Sequence, residues 1–119
     1  MIEFTDEHDY DNDVVTQSMN STVVVKFSAT WCGPCKKVQP TFQKIIDSHQ
    51  NMTFYHVDID EHEDLVEREN VKSIPYFVVY DNGVKINSAA AGTPDKLEEF
   101  TSETFSRIGE PGNQSEESW

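Results

Sequence analysis

A chain of 119 residues with 36% hydrophobic content lies in the single-domain range and can bury one ordinary core. Its net charge of −13 excludes a general nucleic-acid or anionic-membrane role, because either needs lysine and arginine to neutralise phosphates. The only two cysteines, Cys32 and Cys35, would close a loop too small to restrict the unfolded chain much, so stability is not their expected purpose.

The amino terminus, Met1 to Glu7, is acidic and lacks the charged-then-apolar pattern of a signal peptide, and no apolar stretch approaches membrane-spanning length. The cytosol is therefore the expected compartment. The acceptor triplets at Asn20, Asn51 and Asn113 match the glycosylation pattern but are expected to stay unused there. Ile2 to Phe4 reads as a short strand. Thr5 or Asp6 then caps a helix that runs to about Met19, where Asn20-Ser21 breaks it. Val23 to Ser28 is the strongest strand, an almost continuous β-branched run of the kind found in a sheet covered on both faces. From Pro34 to about Ser48 the apolar positions Val38, Phe42, Ile45 and Ile46 recur at helical spacing, with Pro34 suited to the first turn and Pro40 expected to kink the helix.

Thr53 to Asp58 is another strand. Asp60 follows as the expected cap of a short helix, with Glu63 completing a capping-box pattern and Leu65 and Val66 facing inward. After Ile74-Pro75, the runs Tyr76–Tyr80 and Val84–Ala89 flank Asp81-Asn82-Gly83, a strong hairpin signal that predicts an antiparallel pair. Thr93-Pro94-Asp95 opens a last helix carrying Leu97, Phe100, Phe105 and Ile108. The predicted domain spans residues 1–108, and residues 109–119 form an acidic, flexible tail with only Trp119 to pack.

The chemistry concentrates in Trp31-Cys32-Gly33-Pro34-Cys35, at the junction of a strand and a helix. Two thiols so placed interconvert between dithiol and disulfide, and the helix offers unpaired N–H groups and a positive dipole end to an ionised sulfur. In a reducing compartment such a pair reads as redox-active. Lys36 and Lys37 follow directly and are candidates to steer acidic partners, although charged segments are chiefly solvated helix faces. A structural zinc site would need a second ligand pair, which His8, His49, His56 and His62 do not supply. Asp58 to Glu63 lacks the glycine and downstream glutamate of a calcium loop.

The order β-α-β-α-β-α-β-β-α resembles the thioredoxin family over roughly residues 1–108. Separate signatures agree: Phe27 to Lys36, Pro40, Val57-Asp58-Ile59-Asp60, Val71 to Pro75, and Gly92. The resemblance implies an α/β fold, a mixed five-stranded sheet flanked by four helices, with Pro75 held cis opposite the cysteines. It also implies a protein disulfide reductase. Cys32, at the helix start and the more exposed, is the expected attacking thiolate, its pKa lowered by the helix end as in thioredoxin itself, and Cys35 resolves the mixed disulfide.

Gly33 and Pro34 are expected to tune how readily the pair opens. Trp31, Ile74, Pro75 and Gly92 would form an apolar rim, with Ile74 pairing main chain to main chain with an extended substrate. Asp60 would accept a hydrogen bond from the Trp31 indole. No bound cofactor is expected: electrons would come from NADPH through a thioredoxin reductase, partners would be disulfide-containing proteins, and the chain would work as a monomer. Two other readings stay open at this stage, a more oxidising disulfide oxidase or isomerase, and a non-catalytic binding module in a larger assembly.

The chain departs from the family at Lys26, a position that usually carries a buried acid beneath the cysteines, and at Ser28, which replaces a frequent aromatic and leaves room for water or another side chain. Lys26 either extends its amine to solvent or to an acid such as Asp58, or acts on the thiols as a charge or a base. His56, on the next strand, is a candidate partner for it.

Overall fold

Five strands form one sheet: β1 (Ile2–Glu3), β2 (Val23–Ser28), β3 (Thr53–Asp58), β4 (Tyr76–Asp81) and β5 (Val84–Ala90), in the order β1-β3-β2-β4-β5. This computed structural model describes residues 1–108 of the chain, so the tail and Trp119 lie outside the described residues. β2 is the middle strand and all six of its residues are buried, as a continuous apolar run demands. β1 and β2 both run parallel to β3, while β4 and β5 are antiparallel to their neighbours. The hairpin between β4 and β5 turns at Asn82 and Gly83, whose φ values of 57° and 84° suit the tight turn that an Asn-Gly pair favours.

Strand alternation sorts the side chains onto two cores. Val23, Val25 and Phe27 of β2 face one layer with Phe4, Tyr10, Val14, Tyr55, Val57 and Leu65. Val24 faces the other, packing with Val38 and Phe42 of α1 (Gly33–Ser48) and with Leu97, Phe100 and Phe105 of α3 (Pro94–Ile108). Lys26 and Ser28 share the period-two side of Val24, so the sequence directs both beneath α1. α1 runs unbroken through Pro40, which is exposed, and Thr93 caps α3 by accepting from the Lys96 N–H at 3.2 Å.

Two expected caps are corrected. The first helical segment starts at Tyr10, with Asp9 and not Thr5 or Asp6 as its cap, and winds with π spacing to Thr16 before tightening to 3-10 over Gln17–Met19. The reason is local: Thr5 and His8 close a turn of their own, while the Asp9 carboxylate accepts from the Asp11 N–H and the Asp9 N–H donates to Asp13. The short helix α2 (Glu63–Arg68) begins after His62, whose side chain makes no cap. Asp58, not Asp60, organises its entry, its carbonyl accepting from Glu61 and His62 and its carboxylate from the Asp60 N–H.

Candidate active site

The end of β2 delivers the chain to the start of α1, and Cys32 is the cap of that helix. Its N–H donates to Ala29 O at 3.2 Å, its Sγ accepts from the Cys35 N–H at 3.1 Å, and Pro34 fits the first turn because the N–H it lacks has no helical partner there. Cys35 lies one turn inside, and the two sulfurs are joined as a disulfide. Exposure does not separate them, at 4% for Cys32 and 3% for Cys35, contrary to the expectation of a more exposed Cys32. Position separates them: only Cys32 faces the first-turn N–H groups and the positive end of the helix, which lower the pKa of a thiol. A Cβ on Gly33 would meet nothing within 4 Å, so crowding does not require glycine there.

Around the pair, Ala29, Ile59 and Ile74 pack against the two cysteines. The Ile74-Pro75 bond is cis, and Pro75 O accepts from the Ala91 N–H at 3.1 Å, tying that loop to the end of β5. Gly92 borders Pro34, since a Cβ built on it would lie 3.7 Å from Pro34 Cβ. Trp31 is 65% exposed, and its indole N–H donates to Asp60 Oδ2 at 2.9 Å. Of the two roles expected for Asp60, the structure keeps the bond to Trp31 and gives the helix entry to Asp58.

Lys26 is neither solvent-exposed nor paired with Asp58. It is 3% exposed, and its ammonium donates to Gln39 Oε1 at 2.6 Å and reaches Cys35 O at 3.4 Å, with the Phe42 ring centroid 5.6 Å away. Burial lowers its pKa to about 8, because a desolvated ammonium loses hydration that the site replaces only in part. His56 is its register neighbour on β3 but does not bond it: the imidazole bridges Ser28 Oγ at 2.5 Å and Glu3 Oε1 at 2.7 Å. The room left at Ser28 is thus taken by a histidine. Gln39 is absent from the sequence motifs, whereas Ala29 and Ile59 lie within the family signatures without a role of their own. Gln39 was discoverable, because it follows Cys35 by one helical turn and therefore shares its face over β2.

No group of three or more metal-ligating side chains occurs among the described residues, and none of their helices is long and apolar enough to cross a membrane. The family model for thioredoxin matches residues 1–103. The thioredoxin of Gallus gallus is 42% identical over 77 residues, covering 65% of this chain and 73% of the relative. That of Mus musculus is 34% identical over 98 residues, covering 82% and 93%. Among solved structures, mitochondrial thioredoxin 3 of Saccharomyces cerevisiae in its oxidised form superposes with a TM-score of 0.75 at 30% identity, covering 87% of this chain and 94% of that one. Plasmodium falciparum thioredoxin gives 0.75 at 31%, covering 87% and 98%. A cysteine pair closed at the cap of α1, on a mixed sheet shared with these proteins, places the chain in the thioredoxin family, as a thiol–disulfide oxidoreductase that reduces protein disulfides.

Proposed function

We propose that Cys32 is the attacking thiolate and Cys35 the resolving thiol. The observation that carries this reading is the cap geometry: the Cys32 sulfur accepts the Cys35 N–H, so a negative charge forming on it meets a donor and a dipole already in place. Cys32 attacks one sulfur of a substrate disulfide and expels the other as a thiolate. Cys35 then attacks Cys32 Sγ, the substrate leaves fully reduced, and the pair is left as the Cys32–Cys35 disulfide.

Trp31, Ile74, Pro75 and Gly92 form the rim that meets the substrate. Ile74 packs on the cysteine cluster and lies outside both flanking strands, so its main chain is free of the sheet ladder and suited to pair with an extended segment. Gly33 and Pro34, both exposed, keep the approach to Cys32 low, and Asp60 holds the Trp31 ring at the edge of that approach. Electrons return from NADPH through a thioredoxin reductase, with no cofactor bound to this chain. The protein works in the cytoplasm as a monomer, and residues 1–108 are the working unit.

In an insulin-reduction assay coupled to NADPH and a thioredoxin reductase, wild type turns over and Cys32→Ser does not. Turnover by Cys32→Ser at more than a small fraction of the wild-type rate would overturn the assignment of the nucleophile.

A further inference from the structure

Lys26 stands on the central strand with its ammonium beneath the first turns of α1, and its hydrogen-bond acceptors are neutral, Gln39 Oε1 and Cys35 O. No carboxylate forms an ion pair with it among the described residues. A buried cation without a counter-charge is costly, and a negative charge forming beside it relieves that cost. The residue beside it that gains such a charge during turnover is Cys35, whose carbonyl oxygen lies 3.4 Å from the ammonium. Both line a cavity of about 240 Å³ with Ser28, Gln39 and His56, and the cavity wall includes the exposed Thr30 and Lys36, which gives a proton a way out.

We propose that Lys26 is a positioning residue for the resolving step, its buried ammonium serving as the counter-charge that favours the thiolate form of Cys35 once the mixed disulfide has formed. This rests on Cys35 being the resolving thiol. In the mixed disulfide, the Cys35 thiol loses its proton to water in the cavity and the thiolate attacks Cys32 Sγ. The bond between Cys32 and the substrate sulfur breaks, and its electron pair leaves on the substrate sulfur, which takes up a proton. The cysteine pair is oxidised and the substrate disulfide is reduced, so no further reactant is needed.

The surroundings set the pH behaviour. On α1, Cys35, Lys36 and the neutral Gln39 face Lys26; on β3 it meets His56, whose ring nitrogens are held by Ser28 and by Glu3 of β1. Asp58 turns its carboxylate to the Asp60 N–H, and the β4 residue opposite Lys26 is Phe77, which does not titrate. Met1 completes the cavity wall. Lys26, lowered to about 8 by burial, and a thiol of ordinary pKa about 8.5 exchange protons over the same range, so their titrations are coupled.

The test compares Lys26→Met with wild type in the full chain. In a Cys32→Ser background, where Cys35 is the lone thiol, its ultraviolet thiolate titration moves up by about one unit in Lys26→Met, which is about tenfold less thiolate at neutral pH. With Cys32 present, release of the second nitrothiobenzoate after attack on an aromatic disulfide reads resolution. It slows about threefold near pH 7, because the tenfold loss of thiolate is partly offset by the greater nucleophilicity of a higher-pKa thiolate. The two pH profiles converge above about pH 10, where wild-type Lys26 is itself neutral.

Lys26→Arg restores the wild-type thiolate fraction and resolution rate near neutral pH, where both side chains are charged. Reciprocity gives a reading that leaves Lys26 intact: replacing Cys35 by Ser in the Cys32→Ser chain lowers the Lys26 titration, followed by NMR, by the same one unit or so. An unchanged Cys35 titration, or a resolution rate reduced by the same factor at every pH, would overturn the proposal. These titrations are read on Cys35 whichever thiol attacks first, so an error in that assignment shows in which cysteine traps a substrate disulfide and not here.

Discussion

Lysine is rarely buried without a carboxylate, and the cost of burying Lys26 has a sign that pH reveals. Its folded pKa, about 8, lies below the unfolded value of 10.5, so between those two values the unfolded chain binds more protons than the folded one. Stability therefore rises with pH across that window, by an amount on the order of 3 kcal/mol if fully expressed. In the oxidised protein, where the cysteines do not titrate, urea unfolding of wild type against Lys26→Met should show wild type gaining stability relative to the variant from about pH 8 to about pH 10.5. A constant difference between the two would mean that the ammonium is not held out of water. The residue itself was legible, since strand alternation puts it beside Val24 under α1. Its partner was not read, because a search for an acid passes over Gln39, whose neutral amide oxygen takes the ammonium.

Between elements, the joint that matters most is one that sequence patterns do not announce. Glu69, just past α2, is 2% exposed and accepts from Tyr10 at 2.8 Å, from Tyr80 of β4 at 2.7 Å and from Lys85 of β5 at 2.8 Å. Burial pushes its carboxyl up, but the bonds from Lys85, Tyr80 and Tyr10 outweigh it and leave its pKa below the ordinary 4.5. Its contribution to stability is therefore complete above that value and is lost as pH falls through the lower folded one. Glu69→Gln should cost about 2 kcal/mol at neutral pH, by weakening three bonds to a buried group. That gap, measured by urea unfolding, should narrow below about pH 4 as the wild-type carboxylate protonates.

Such a network joins residues far apart in the chain, so periodicity is blind to it. The strands and α1 were legible because their apolar spacing is strong. The first helical segment and α2 were misread at their starts because several acids compete for each cap, and only tertiary placement decides. Phe4 shows this: its N–H bonds His56 O and its carbonyl accepts from His62, so the chain stays beside the sheet and the helix starts only after Asp9.

Over the whole molecule, one sheet places a redox pair at the strand–helix corner, packs Ile74 from the far side of the sequence against it, sets Gly92 beside Pro34 and holds Pro75 cis in the loop tied to the end of β5. That assembly was legible through the resemblance and not through spacing, since nothing local links Gly92 to Pro34 or selects the cis form at Pro75. Lys36 and Lys37 stand exposed in the first two turns of α1 in a chain of net charge −13, leaving local positive charge near the sulfurs.

The central claim is the division of labour between the two cysteines, and trapping tests it most directly. Reduced Cys35→Ser, mixed with a protein disulfide substrate and analysed by mass spectrometry without reductant, should accumulate a covalent adduct mapped to Cys32. Cys32→Ser should accumulate little. An adduct on Cys35 of the Cys32→Ser chain at comparable rate, or steady turnover by Cys35→Ser, would contradict the account.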